Sequence, residues 1–343
     1  MIVLVEYQDR SVDLDPRDLA WLNDHAGQQF TIRRALDGRV VVNPNQFVGV
    51  MTLPSGESLT VRPKVPASNL FVMLAVAYGI DSPFRDEAAR YDTLDDILEF
   101  LTDEFVRLVD DRIAAGLHRN YIEREDNLAA VRGRVAIAED LRRNHIMRHR
   151  VFCRYTEFSW DIPENQVIRQ VAHLLAGWAK DSRRRLRLWQ IDHLLGEVTP
   201  AEIPADALDR FVYGRLNADY EPIHHLCKLF LRGASVSEHA GGTSFRTFLL
   251  DMNHLFEQFV TEVLRRRAPR VLEVSGQHKP HLDRDRRVEI RPDLVVSKHG
   301  RHALVADCKY KRAREDSVHQ PDVYQTLAYC TALGLDRGML LYP

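Results

Sequence analysis

Four cysteines are all that 343 residues contain, at positions 153, 227, 308 and 330, and no two form a Cys-x-x-Cys pair. That spacing excludes a zinc ribbon and a disulfide framework, and a reducing cytoplasm is the expected compartment. Charge of one sign is also missing: 47 Lys and Arg against 49 Asp and Glu leave a net of −2, so no global basic field marks a general nucleic-acid binder. The most apolar window, Leu70 to Ile80, is too short to span a bilayer, and no membrane association is expected. No signal-peptide pattern precedes the strand-like Ile2-Val3-Leu4-Val5. The sequence ends just after another strand-like run, at Leu341-Tyr342-Pro343, and leaves open whether a tail once followed. A Gly-x-x-x-x-Gly-Lys-Ser/Thr loop is absent, so the chain is not expected to hold a nucleotide itself. Internal repeats and low-complexity segments are absent too. What remains, 45% apolar and 28% charged residues, describes a globular chain long enough for two or three domains.

Residues 1–66 read as a β-rich module with the composition of a small barrel or sandwich. Val3 and Val5 alternate, as do Phe30 and Ile32, and Val40-Val41-Val42 is a compact branched run. Val48-Gly49-Val50-Met51 and Ser58-Leu59-Thr60-Val61 flank a Pro54-Ser55-Gly56-Glu57 reversal, and the hairpin ends at Arg62-Pro63-Lys64, where proline halts the ladder. Such a module could bind DNA or a protein partner. Residues 67–240 read as mainly helical. One helix carries Leu94, Ile97, Leu98, Leu101, Phe105 and Leu108 with acidic residues between them, expected to face solvent, and Gly116 suits its C-cap. Arg132, Arg134, Arg142, Arg143, Arg148, Arg150 and Arg154 crowd a basic segment with His145 and His149; it is either a phosphate-contacting face or a scattered solvated surface. The two histidines lack the intervening glutamate of a zinc protease and are read as non-ligands. In Asp161-Ile162-Pro163-Glu164-Asn165, Asp161 suits the N-cap of a long helix that ends in Arg183-Arg184-Arg185-Leu186-Arg187, where positive charge complements the dipole. A further helix spans about Pro222 to Leu231, and Gly241-Gly242 marks a boundary before a C-terminal α/β domain, 241–343.

That last domain carries the chemistry. Ile290-Arg291-Pro292-Asp293-Leu294-Val295-Val296 and Ala303-Leu304-Val305-Ala306-Asp307-Cys308-Lys309-Tyr310 flank a Lys298-His299-Gly300 turn and read as paired strands. Antiparallel pairing sets Asp293 almost opposite Asp307, and the pleat puts Lys309 on the face of Asp307. Two carboxylates and an ammonium on one patch of sheet suit Mg²⁺, which takes a few hard oxygen ligands and keeps its waters, and suit phosphodiester hydrolysis with Lys309 beside the attacking group. Alone, an Asp and a Lys two apart also describe a solvated surface pair. Downstream, Gln325 and Tyr329 share a helix face; upstream, Phe248, Met252, Leu255, Phe256, Phe259, Val260 and Val263 make a helical stripe with Glu257 at its edge.

Pro292-Asp293 with Asp307-Cys308-Lys309 resembles the motif of the PD-(D/E)xK nuclease superfamily, and Gln325-Thr326-Leu327-Ala328-Tyr329 resembles the Gln-x-x-x-Tyr element of its RecB-like branch. Some members of that branch hold an iron–sulfur cluster on four cysteines, a set these spacings do not support. With the hairpin ending in Arg62-Pro63-Lys64, Asp161-Ile162-Pro163-Glu164-Asn165, and Met252-Asn253-His254-Leu255-Phe256-Glu257, the chain resembles McrC, the nuclease subunit of McrBC-type modification-dependent restriction systems. Cys308 stands where a small residue is common.

The resemblance implies an α+β multidomain protein ending in a restriction-endonuclease-like domain. Asp293 and Asp307 would bind Mg²⁺, Lys309 would assist the attacking water, and Glu257 would supply a further acid, while Gln325, Tyr329 and Lys311 would hold DNA. It implies an AAA+ GTPase partner of McrB type, whose GTP hydrolysis the chain stimulates, through an arginine the sequence does not single out, and double-stranded DNA carrying modified bases such as 5-methylcytosine. Two other readings stay open: a non-catalytic adaptor of an AAA+ ring, and a stand-alone repair nuclease.

Overall fold

The computed structural model describes residues 1–36, 38–79, 94–146, 149–234, 247–276, 280–283, 285–311 and 319–343. Ile80, Arg148 and the Gly241-Gly242 boundary lie outside the described residues.

Strands β1 (Ile2–Val5) and β2 (Arg10–Val12) lead into helix α1 (Pro16–His25), which hydrophobic alternation did not announce. Its signal was local: Asp15 caps it by accepting from Arg17 N at 2.8 Å, and Pro16 opens it, where a missing N–H costs nothing. Strands β3 (Thr31–Arg34), β4 (Val40–Asn43), β5 (Phe47–Thr52) and β6 (Ser58–Arg62) follow, the last two forming the expected hairpin. Helices α2 (Ala67–Ala77) and α3 (Leu94–Ala115) come next, then β7 (Asn120–Leu128), β8 (Arg134–Val135), α4 (Ile137–Arg143) and β9 (Val151–Ser159). Helices α5 (Pro163–Trp178), α6 (Ser182–Leu194) and α7 (Glu221–Ala234) precede β10 (Thr247–Asp251) and α8 (Met252–Arg267). The chain closes with β11 (Leu272–Gly276), β12 (Leu294–Lys298), β13 (Arg301–Cys308), α9 (Gln320–Leu333) and β14 (Gly338–Leu341).

Two compact units result: 1–98 together with 232–343, and 99–231. This differs from the three consecutive segments read from the sequence, and β10 is the reason. It pairs antiparallel with β5, completing a sheet in the order β1-β6-β5-β10, and Asp251 at its end caps α8 through Asn253 N and His254 N. Phe248 therefore belongs to a strand and not to the helical stripe. Gly49 permits the close pass of the two strands, because a Cβ there would sit 1.9 Å from Phe248 O. Leu4, Leu22, Val42, Met51 and Leu249 share one core that joins this sheet, α1 and the second sheet, β2-β4-β3. Each such fully buried side chain contributes roughly 1.5–3 kcal/mol. The other sheet of this unit runs β11-β12-β13-β14, with α9 as the crossover between parallel β13 and β14.

The 99–231 unit is not solely helical, because the basic segment folds into the sheet β7-β9-β8. Many of its arginines meet carboxylates of the same unit, including Arg154 with Glu125, Arg132 with Glu157, and Arg142 and Arg143 with Glu139. The basic run 183–187 does not end α5. That helix stops at Trp178, and the run opens α6, whose N-cap Asp181 accepts from Arg184 N at 2.8 Å. Positive charge at a helix N-terminus opposes the dipole. Compensation comes from α3, whose acidic face is paired instead of merely solvated: Arg184 Nε donates to Asp103 Oδ1 at 2.6 Å, and Arg187 Nε to Asp110 Oδ2 at 3.0 Å.

Asp161 is not the N-cap of α5 either; Ile162 occupies that position with no side-chain cap. The Asp161 carboxylate instead accepts from Gln166, Thr199 N, Thr199 Oγ1 and Arg124 at 2.7–2.9 Å. Burial opposes its ionisation, but these bonds outweigh burial and bring its carboxyl down to about 2. On α7, His224 is 1% exposed, with its ring nitrogens 3.0 Å from Glu164 O and Tyr213 Oη. Burial depresses its pKa from 6.5 to about 4. An unfolded chain binds that proton below 6.5 while the folded one refuses it, so the contribution is complete above 6.5 and is lost as pH falls toward 4. Between pH 7.5 and 5 this site should cost about 2 kcal/mol, read as a falling urea midpoint. His224→Gln should flatten that slope; an unchanged slope would assign it to other groups.

Candidate active site

The β12–β13 hairpin turns through His299 and Gly300, at φ 51° and 74°, which joins right-twisted strands in two residues. Leu294 pairs with Ala306, so Asp293, one residue before β12, falls opposite Asp307, the penultimate residue of β13. β13 ends at Cys308, two residues short of the sequence expectation. The main chain also ties the two acids together: Cys308 N donates to Asp293 Oδ2 at 2.7 Å.

Asp307 is 1% exposed. Its buried Oδ2 lies 2.5 Å from Lys309 Nζ but outside hydrogen-bonding geometry, a contact that is electrostatic more than directional. Burial, then the Asp307 charge, push the Asp293 carboxyl up to about 7. For Lys309, burial acts downward, but contact with Asp307 prevails and holds the ammonium above its ordinary value. Cys308 contributes no thiolate, since burial and the neighbouring Asp293 push it up to about 12.

Lys309 Nζ also donates to Gln325 Oε1 at 2.9 Å. Gln325 Nε2 donates to Tyr329 Oη at 2.6 Å, and that hydroxyl donates to Arg291 O at 3.1 Å, next to Pro292-Asp293. The Gln-x-x-x-Tyr pair on α9 thus braces both the lysine and the approach to Asp293. Glu257, on α8, lines the same cleft of about 830 Å³ as Asp293, Asp307, Lys309, Lys311 and Gln325. Its Oε2 lies 3.7 Å from His254 Nδ1. Lys311 Nζ pairs with Asp322 Oδ2 at 2.5 Å, on α9. Every residue singled out from the sequence except Tyr329 lines this cleft, and Tyr329 holds one that does.

Sequence reasoning missed part of the wall: Tyr7, Lys64, Asn253, His254 and Tyr310 line it as well. Tyr7 donates to Asn253 Oδ1 at 3.0 Å. The Arg62-Pro63-Lys64 run was visible as a basic stop, but nothing local indicates that it meets residue 310.

Among the described residues no group of three or more His, Cys, Asp or Glu forms a closed ion cage. The donor set nevertheless fits a hard divalent cation. Two carboxylates crowd one patch, Asp293 raised toward 7 by burial and by the Asp307 charge, and the ammonium beside them, Lys309, pairs with Asp307. Mg²⁺ needs only one or two carboxylates.

Residues 42–343 match the family described as McrBC 5-methylcytosine restriction system component. The chain is 20% identical over 305 residues to the type IV methyl-directed restriction enzyme EcoKMcrBC of Escherichia coli K12, covering 82% of this chain and 87% of that one. In structure it is similar to a chain from the half-complex of a tetradecameric assembly of Thermococcus gammatolerans McrB AAA+ hexamers with bound McrC, with a TM-score of 0.55, 19% identity, and 100% and 86% of the two chains covered. Among the described residues no helix is long and apolar enough to cross a membrane. With the family match spanning most of its length, the chain belongs to the McrBC family of restriction-system components.

Proposed function

We propose that the chain is the McrC-type subunit of its system, a Mg²⁺-dependent DNA endonuclease with a PD-(D/E)xK site in its 241–343 segment. The convergence of Asp293, Asp307, Lys309 and Gln325 carries this reading. Asp293 and Asp307 would hold the ion, and Glu257, which lines the same cleft, would add a third acid directly or through water. When bound, the ion supplies Lewis acidity at the scissile phosphate. Lys309, fixed between Asp307 and Gln325 and kept protonated, orients the attacking water and offsets charge that builds on the phosphate oxygens. Gln325 and Lys311, which line the cleft, would face DNA, and Tyr329 would act through its hydrogen bond to Gln325.

The resemblance to McrB–McrC assemblies supports a partner as well: a McrB-like AAA+ GTPase that reads modified bases in double-stranded DNA, engaged by the N-terminal region and stimulated by this chain. The four cysteines are all free, which supports action in a reducing cytoplasm.

The test is plasmid cleavage with Mg²⁺ by the chain alone, and then with the McrB-like partner and GTP, on methylated and unmethylated DNA. Cutting that needs partner, GTP and methylation is the expected result. Cutting alone would reassign the chain as an autonomous nuclease. Stimulated GTP turnover without any cutting would leave an adaptor.

A further inference from the structure

The chemistry above leaves Lys64, the end of the Arg62-Pro63-Lys64 run, unexplained. In the structure its Nζ donates to the main-chain carbonyl of Tyr310 at 2.7 Å, across 246 residues of sequence. The ammonium lies 3.9 Å from the centre of the Tyr310 ring and 4.8 Å from that of Tyr7, a cation held against two aromatic faces. Its main-chain N–H donates to Glu6 Oε1 at 2.6 Å, and the same oxygen accepts from Tyr310 Oη at 3.1 Å. Glu6 is 1% exposed, so a buried carboxylate grips both the residue that holds Tyr310 and Tyr310 itself.

Tyr310 follows Lys309 directly, at a point where the sheet no longer holds the chain. β13 has ended at Cys308; Lys309 N makes a last bond to Leu341 O at 2.8 Å, and Lys311 N turns back to Lys309 O at 2.7 Å. The Tyr310 carbonyl and the Lys311 N–H share one peptide, and if nothing outside the sheet fixes it, its rotation breaks the bond to Lys309 O and loosens the turn from which Lys309 reaches Asp307 and Gln325.

We infer that Lys64 is a positioning residue for the nuclease site: anchored by Glu6, it fixes the Tyr310 carbonyl and through it the reach of Lys309. The inference rests on the nuclease reading for its effect on rate, but not for its effect on structure. It makes the N-terminal sheet a working wall of the site. Lys64 also borders the cleft, so direct contact with a DNA phosphate is the rival role.

The experiment compares full-length wild type, Lys64→Met and Lys64→Arg, each with the partner where cutting needs it. Expected for Lys64→Met is a single-turnover cleavage rate about 100-fold lower, the scale of loss when a catalytic group is misplaced by about 1 Å. DNA affinity, measured in Ca²⁺, should stay within about twofold, and Lys64→Arg, which keeps a cationic donor, should recover much of the rate. Hydrogen exchange should rise in the 305–311 peptide of Lys64→Met and remain unchanged across 99–231. Unchanged exchange at 305–311 would overturn the proposal, as would weakened DNA binding with a normal rate at saturation, which would mark a phosphate contact. If Lys64→Met fails to fold, Lys64→Gln, which keeps an N–H donor on a shorter arm, is read the same way. A wild type that never cuts would sink the nuclease reading, while the exchange arm would still decide whether Lys64 holds the Tyr310 turn.

Discussion

Asp307→Asn should reduce DNA cleavage by about a thousandfold or more while the protein folds normally. The isosteric amide keeps the shape of a nearly fully buried side chain. It removes half of the carboxylate pair and the group facing Lys309 Nζ at 2.5 Å. The stability effects oppose each other: repulsion with Asp293 is relieved, and the ion pair with Lys309 is lost, so the net change should stay within about 1 kcal/mol. A readout independent of cutting is available, because an ion that binds only the folded state raises the unfolding temperature. Mg²⁺ should stabilise the wild type and not the variant. Cleavage at the wild-type rate by Asp307→Asn would remove this residue from the chemistry.

The second large effect lies far from those acids in sequence. Asn165→Ala should destabilise the 99–231 unit by about 3–5 kcal/mol. Asn165 is fully buried, and its amide donates to His118 O at 3.0 Å and Trp160 O at 2.7 Å. Its carbonyl accepts from Tyr220 Oη at 2.8 Å, and the Tyr220 hydroxyl in turn accepts from His118 N at 2.8 Å. Alanine leaves two carbonyls and a hydroxyl without this partner in a dry interior, each costing about 1–3 kcal/mol. Glu164→Ala, one residue away, should cost less than about 1 kcal/mol, since only its main-chain carbonyl meets His224. Urea unfolding of the two variants checks the contrast, and a loss below 1 kcal/mol for Asn165→Ala would show that the network carries little. The Asn165 of the Pro163-Glu164-Asn165 stretch thus ties main chain at 118 and 160 to Tyr220.

How much the sequence disclosed follows from how local each signal is. Asp293 and Asp307 lie fourteen residues apart around a glycine turn, close enough for alternation to bring them nearly opposite, but a bulge that leaves Ala303 unpaired completes the register. Gln325 and Tyr329 follow from helical spacing. Asp161 looked like a cap because its residue type and position suit one, yet its partners at Thr199 and Arg124 are brought together by folding. The basic run at 183–187 opens a helix instead of ending one because the break at Ala179-Lys180-Asp181 is only three residues long, and the Asp181 cap is its local sign. Lys64 and Tyr310 could not be joined by any spacing rule, since their contact depends on a strand pairing formed across most of the chain.

That same pairing of β5 with β10 sets a schedule for synthesis. β5 leaves the ribosome with one edge bare, and the strand that covers it is made nearly two hundred residues later. At about 5–20 residues per second the edge stays open for about 10–40 s, while the whole 99–231 unit is made. An uncovered strand edge invites pairing with another chain. Nascent chains should therefore be most prone to aggregation and most dependent on chaperones in that interval. The cleft lined by Asp293, Asp307 and Lys309 cannot form until that interval ends.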